Sequence, residues 1–463
     1  MKGQKTKKLY YILLWLFILV LLLICPNHYS FYYNVTNFFV FLVYLVLYLK
    51  DKNKKTYFDF DVLFLTTFAV TSYSYPVFLY DDSFPFIFFF GNSFKLSNIS
   101  YGVIASTIAG CLYMLGGSLN YVCARVKYSK SPQTKHIVLL AVIFSLLFWG
   151  LGGFQYYSDR YLIGTIENPN GRILQIETLL QCTVVTAISL ESYKLITKGK
   201  KKNKFREIIV GKSFNRTLLV LCLIVGVSIA ISGNRTTGMI LVVPLLYVIF
   251  NQYTYLGLGR FFIGCLFAFP MMFVIQVTRA GDSLDSSVIS AAGVVSDLVI
   301  PSRSNYLVFE VINEKGVSYG ITMLQGFINS IPSLDSFLNK IGVDTKMMGS
   351  AYFFTNYTEH MGHEVKTGLG TTLQADLMLS FGWLGLLFFF YLGRVVNVLH
   401  IRMQNAHYYS TVAYFSLICL SIFWVRAELS YPFRLLVWSV ILSRIILSFN
   451  RNKKLLLSDK NRN

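Results

Sequence analysis

A chain of 463 residues that is 54% hydrophobic, holds 40 Phe and 31 Tyr and has only 14% charged residues cannot hide its apolar side chains in a water-soluble core, because ordinary soluble proteins carry about 25% charge. The formal net charge of +20 would suit nucleic acid in a soluble protein, yet no zinc, helix-turn-helix or RNA-binding pattern accompanies the basic clusters. Composition therefore places the chain in a membrane before any motif does.

Apolar stretches of about 17 to 25 residues, long enough to cross a bilayer as helices, fall at 9–25, 31–49, 60–80, 99–118, 136–152, 172–193, 217–232, 237–254, 259–277, 374–393, 408–425 and 431–448. They predict an all-α polytopic integral membrane protein of twelve spans, a single membrane domain over 1–463. The first span has the basic start and long apolar core of a signal peptide, but no small-residue cleavage site follows "LLLICPNHYS", so it is expected to remain as an anchor. Between the spans the basic residues cluster in every second connector: Lys2 to Lys8, Lys50 to Lys55, Arg125 to Lys135, the run "KGKKKNKFRE" in a basic loop over 194–216, Arg260, Arg394 with Arg402, and "RNKK" at 451–454. Assigning these connectors to the cytoplasm puts most of the 42 Lys and Arg inside, as the positive-inside rule requires, with both termini cytoplasmic. Seven scattered cysteines imply neither a disulfide framework nor a metal cluster.

The same rule leaves a short turn, "SGNRTTG" at 232–238, on the outer side with an arginine, Arg235, between two apolar runs. Arginines recur near the outer boundary at Arg279, Arg303, Arg426 and Arg434. A guanidinium fork matches the paired oxygens of phosphate or pyrophosphate better than an ammonium does, so these five arginines are candidates for holding a phosphorylated lipid headgroup. The competing reading is snorkelling, in which each long side chain only carries its charge to the interface.

Between spans nine and ten, residues 278–373 form a large extracytoplasmic loop, and connectors of that length usually carry function. Two mixed stretches, 286–300 and 319–332, have the apolar content of short helices lying on the membrane or across the bundle, ended by Pro301 and Pro332. Capping of a cavity is the expected arrangement. The end of the loop, "FTNYTEHMGHEVKTGLGTTLQADLMLSFGWLG" at 354–385, brings Glu359, His360, His363 and Glu364 close to membrane re-entry. Such a histidine or carboxylate can deprotonate a hydroxyl while an arginine stabilises a leaving pyrophosphate. The order is not that of an H-E-x-x-H zinc site, and no metal is expected. Solvent-facing histidines at the end of a polar loop are the bland alternative. Gly368 and Gly370 suit a tight re-entry, and Gly382 and Gly385 suit close helix packing.

Taken together, the spans, the Phe- and Tyr-rich helices, the lysine-rich loop, "SGNRTTG", and the late external loop followed by "GLGTTLQADLMLSFGWLGLLFF" resemble the bacterial oligosaccharide repeat-unit polymerases, the Wzy-type O-antigen and capsular polysaccharide polymerases. The resemblance implies a GT-C-like membrane glycosyltransferase in the bacterial inner membrane. It would join glycans carried on undecaprenyl pyrophosphate at the outer face, without a cofactor, nucleotide sugar or obligate metal, beside a repeat-unit flippase and a chain-length regulator. On this resemblance Arg235 and Arg279, then Arg303, Arg426 and Arg434, would handle the anionic substrates, and His363 would be the nearest candidate base. The related O-antigen ligases place a histidine ten residues before a glycine, a spacing that "HEVKTGLG" departs from. A flippase or transporter of the same lipids is the alternative, but the spans do not divide into two similar halves. An acyltransferase would want its histidine near a cytoplasmic donor. No G-x-x-x-x-G-K-[ST] loop occurs.

Overall fold

The computed structural model describes residues 2–52, 54, 56–80, 94–125, 133–160, 171–198, 214–264, 266, 299–360 and 370–460. Every regular element among them is helical. Six helices are long and apolar enough to cross a membrane: Phe31–Lys52, Phe60–Leu79, Ser97–Ser118, Gly171–Thr197, Arg235–Tyr253 and Leu373–Gln404. The chain is thus a polytopic bundle, but the expected twelve spans are not reached.

The shortfall has local causes. Lys135–Gly150 and Arg216–Ile231 are apolar yet only 16 residues each, about 24 Å at 1.5 Å per residue and less than the roughly 30 Å hydrocarbon core. Gly152, at φ +73°, turns the chain after the first, and Gly233, at φ +97°, turns it after the second. The stretch expected as a span at 408–425 is α-helical only over Tyr408–Ile418 and continues as turns into a short 3-10 helix, Trp424–Arg426. The last expected span lies inside the longer Phe433–Lys460 helix. Most of 259–277, the loop as far as residue 298 and the centre of the basic loop lie outside the described residues.

Ser97–Ser118 is the central helix: 78% of its apolar window is buried, against 39% for Phe31–Lys52. Its small residues explain the position. A Cβ on Gly116 would sit 2.0 Å from the Phe390 carbonyl oxygen, and one on Gly393 would sit 2.0 Å from that of Tyr113. The backbones of Ser97–Ser118 and Leu387–Gln404 therefore touch, the small-residue crossing that membrane helices use where no hydrophobic effect drives them together.

Hydrogen bonds sort the connectors into two ends. At one, Arg394 Nη1 and Asn397 Nδ2 donate to the Leu119 carbonyl at 2.7 and 2.9 Å, Tyr57 N to the Leu256 carbonyl at 2.9 Å, and Arg125 Nη2 to the Ile196 carbonyl at 3.1 Å. At the far end Tyr101 OH donates to Asn27 at 2.9 Å and Asn98 Nδ2 to Glu310 at 3.1 Å. The connectors that carry the basic clusters meet at the first end, and those that follow the alternate helices meet at the second. That is the alternation an up-and-down bundle requires.

The basic end contains a buried ion cluster. Asp59 caps the Phe60–Tyr73 helix by accepting from Val62 N at 3.0 Å and also receives Lys54 Nζ. Lys54 donates to Asp61 at 2.9 Å, and Tyr48 and Tyr113 donate their hydroxyls to Asp61 at 2.8 and 2.7 Å. The lysine and both aspartates are less than a tenth exposed. Removing one partner of a buried ion pair costs about 3–5 kcal/mol, because the other charge is left uncompensated. We expect Lys54→Met to lower the melting temperature of the detergent-solubilised protein clearly, and Lys54→Met combined with Asp61→Asn to recover part of the loss. Unchanged melting of the single variant would show the cluster to be hydrated rather than buried.

Candidate functional site

The far end gathers its polar groups around the start of the Leu373–Phe381 helix. Thr372 caps that helix, accepting from Ala375 N at 3.0 Å. Its own N–H donates to Ser304 Oγ at 3.2 Å, and its hydroxyl to Asn305. One turn in, Gln374 is locked to the central helix, receiving Ser106 Oγ at 2.6 Å and donating to the Gly102 carbonyl at 3.2 Å. These bonds set the depth at which the next acid, Asp376, enters the bundle. Asp376 is fully buried.

Asp376 Oδ2 accepts from Leu429 N at 2.8 Å, and its Oδ1 is buried without a well-formed hydrogen bond. The residue before Leu429 is a second acid, Glu428, whose Oε1 accepts from Ala351 N at 3.2 Å in the first turn of the Ser350–His360 helix. Burial, and next the neighbouring Asp376 charge, push the Glu428 carboxyl up to about 7, while the backbone N–H groups of Ala351 and Ser350 pull it down. A carboxyl held there is half ionised at neutral pH, the condition for a group that takes up and returns a proton.

Glycines make room for this acid pair. A Cβ on Gly349 would lie 1.8 Å from Gln325 Oε1 and 2.8 Å from Glu428 Oε1, and one on Gly326 would lie 2.2 Å from Ser430 Oγ. The turns at Ile321–Ile328 and Lys346–Gly349 thus press directly on the acid-bearing segment. Ser318, Thr322 and Ser380 add a chain of hydroxyls, at 3.1 Å between the first two and 3.4 Å between the last two.

The expected site residues fall into three groups. Arg426 ends the Trp424–Arg426 turn, two residues before Glu428, and is half-buried. Arg303 is buried and donates to Thr358 on the Ser350–His360 helix; burial draws its guanidinium down to about 10, still cationic at neutral pH. The same helix carries Glu359 and His360 on its last turn, both exposed, with His360 Nδ1 at 2.8 Å from the Asn356 carbonyl. The Ser350–His360 helix thus links Arg303, through Thr358, to the acid pair, through Ala351 and Glu428.

Arg235 belongs to a second cluster. It is half-buried at the start of the Arg235–Val248 helix, which Asn234 caps by accepting from Thr237 N at 3.1 Å. The turn is fastened to Glu177, a buried acid that receives Gln181 Nε2 at 2.9 Å, Asn234 Nδ2 at 3.4 Å, and the hydroxyls of Thr237 and Tyr157. Arg434 is exposed in the first turn of Phe433–Lys460. Arg279, His363 and Glu364 lie outside the described residues.

Of the stretch 286–300 that Pro301 is expected to end, residues 286–298 lie outside the described residues, and Val299, where the described chain resumes, is helical. Pro301 opens the Ile300–Arg303 3-10 turn, which runs into Ser304–Lys315, because its missing N–H costs nothing in a first turn. Gly370, at φ +72°, does form the expected tight re-entry. Sequence reasoning missed Asp376, Glu428 and Glu177. Each is an acid within or beside an apolar run, "LQADLML", "VRAELSY" and "LQIETLL", and an ionisable residue at membrane depth is a functional signal by default.

Among the described residues, no group of three or more His, Cys, Asp or Glu is placed to hold a metal ion. No family profile, no curated protein and no solved structure matches the chain.

Glu177→Ala would leave several buried donors without their acceptor, a loss of about 1–3 kcal/mol for each such group. It should lower the melting temperature and loosen the Arg235 turn, read as faster proteolysis there. A variant as stable as the native protein would show that the turn holds without Glu177.

Proposed function

We propose that the chain is a bacterial inner-membrane glycosyltransferase that polymerises oligosaccharide repeat units carried on undecaprenyl pyrophosphate, acting at the outer face to build O-antigen or capsular polysaccharide. The observation that carries this reading is the acid pair Asp376 and Glu428, the latter two residues after Arg426 in the chain, at the end opposite the lysine clusters. A hydroxyl of the incoming repeat unit attacks the anomeric carbon of the growing chain. Its proton passes to the Glu428 carboxylate as the new C–O bond forms. The bond from the anomeric carbon to pyrophosphate breaks, and the undecaprenyl pyrophosphate anion departs against guanidinium charge.

The division of roles follows from chemistry. A negative charge on Asp376 near Glu428 raises the affinity of Glu428 for a proton. Arg426 is the nearest of the expected arginines in sequence to the base, while Arg235 and Arg303 offer further anionic contacts. Activated sugar on a pyrophosphate needs no other energy source, so a nucleotide site has no task here. The partners on this reading are lipid-linked glycans, a repeat-unit flippase and a chain-length regulator.

The test is chain growth in proteoliposomes supplied with lipid-linked repeat units. General-base catalysis is worth about 10²–10⁴-fold, so Glu428→Gln should lose roughly that factor, and Glu428→Asp less. The base works deprotonated, so the native rate should rise with pH through about 7. Asp376→Asn should move that midpoint to lower pH. Native-like growth by Glu428→Gln would remove the assignment of the base. Transfer of repeat units across the bilayer without lengthening would replace the polymerase by a flippase.

A further inference from the structure

The segment from Tyr319 to Ile341 carries a line of large apolar side chains on its outside. Ile321, Leu324, Phe327, Ile331, Phe337 and Ile341 are between 42% and 60% exposed, as the expectation of a helix lying on the membrane over 319–332 requires. The residues it turns inward are mixed, Thr322 at 2% and Ser330 at 9% exposed beside Met323 at 7% and Ile328 at 9%. A water-facing loop would not leave six further large apolar side chains outside, since burying apolar surface is what stabilises a fold in water. The arrangement suits a segment whose outer surroundings are hydrocarbon.

What covers this face follows from its neighbours. Phe327 packs on Phe433 with ring centroids 4.4 Å apart, and Trp438 Nε1 donates to the Ser330 carbonyl at 2.9 Å. The segment is thereby fixed to the first turns of Phe433–Lys460. That helix continues the same apolar line with Val437, Ile441 and Ile445, all more than a third exposed. Trp438 and the exposed Tyr431 stand where the two elements join, and Trp and Tyr gather at the level where bilayer meets water.

The inner face of the segment meets the acid site. Gln325 approaches Gly349 and Glu428, and Gly326 lies against Ser430. We propose that residues 319–341 form a bilayer-embedded wall, one short helix thick, with its outer face in lipid hydrocarbon and its inner face on the Asp376 and Glu428 pair. The proposal stands independently of the polymerase reading, because it concerns which medium touches the wall.

The experiment places a nitroxide at Phe337→Cys or Ile341→Cys in the full chain, with all seven native cysteines replaced, reconstituted in phosphatidylcholine and phosphatidylglycerol vesicles. Collision rates with oxygen and with a water-soluble nickel chelate are then compared. The expected result is oxygen exceeding the chelate at both positions. Excess collision with the chelate would put the wall in water, and low collision with both would put it under protein, a second copy included; either overturns the proposal. Where the cysteine-free chain fails to fold, Phe337→Lys and Ile341→Lys in the native background answer the same question. Lipid-facing positions should lose stability, whereas water-facing ones would leave melting unchanged.

Discussion

The backbone contact between Ser97–Ser118 and Leu387–Gln404 is the constraint from which the rest of the architecture follows. With Gly116 and Gly393 each against a carbonyl of the other helix, the two cannot slide or rotate without collision. The central helix then fixes Gln374 through Ser106 and Gly102, and Gln374 fixes the helix start that carries Asp376. The GWLG interruption at Gly382–Leu386 lets one stretch of chain serve both tasks. Its first part positions an acid, and its second part packs as a close-fitting span.

A second constraint is that charge in such an interior must find partners. The two ends of the bundle meet it differently. At the basic end Lys54, Asp59, Asp61 and two tyrosines form a closed group in which opposite charges answer each other. At the far end Glu177 is likewise enclosed by donors, but Asp376 and Glu428 are two acids brought close together and held by backbone N–H groups, with no lysine or arginine among the described residues at hydrogen-bonding distance. Groups assembled only for stability would resemble the first two. The proposed base is drawn from the acid pair, where like charges rather than opposite ones adjoin.

The broad class was legible because it rests on composition and on runs of apolar residues, which need no tertiary information. The alternation of basic connectors was legible for the same reason, and the hydrogen bonds at the two ends follow it. Span lengths were less so: a glycine in the left-handed region, such as Gly152 or Gly233, ends a helix at a point that hydropathy alone does not mark. Among the candidate residues, Arg235 and Arg279 stand out most as cations in apolar surroundings; Arg235 starts a helix fastened to Glu177 rather than to the acid pair, and Arg279 lies outside the described residues. Asp376 and Glu428 are 52 positions apart in sequence, and only the folded chain brings them together. Glu359 and His360 attracted attention as a cluster, yet a helix end turns both outward.

The narrowness of the partition at Gln325 and Gly326 links the chemistry inside to the medium outside. A carboxyl's hold on its proton depends on the polarizability of its surroundings, and on the proposed placement of residues 319–341 those surroundings include the lipid behind the wall. Thinning, thickening or hydrating the surrounding leaflet would therefore retune Glu428 without touching any residue. The physical state of the bilayer becomes part of the environment that sets the acidity of this site.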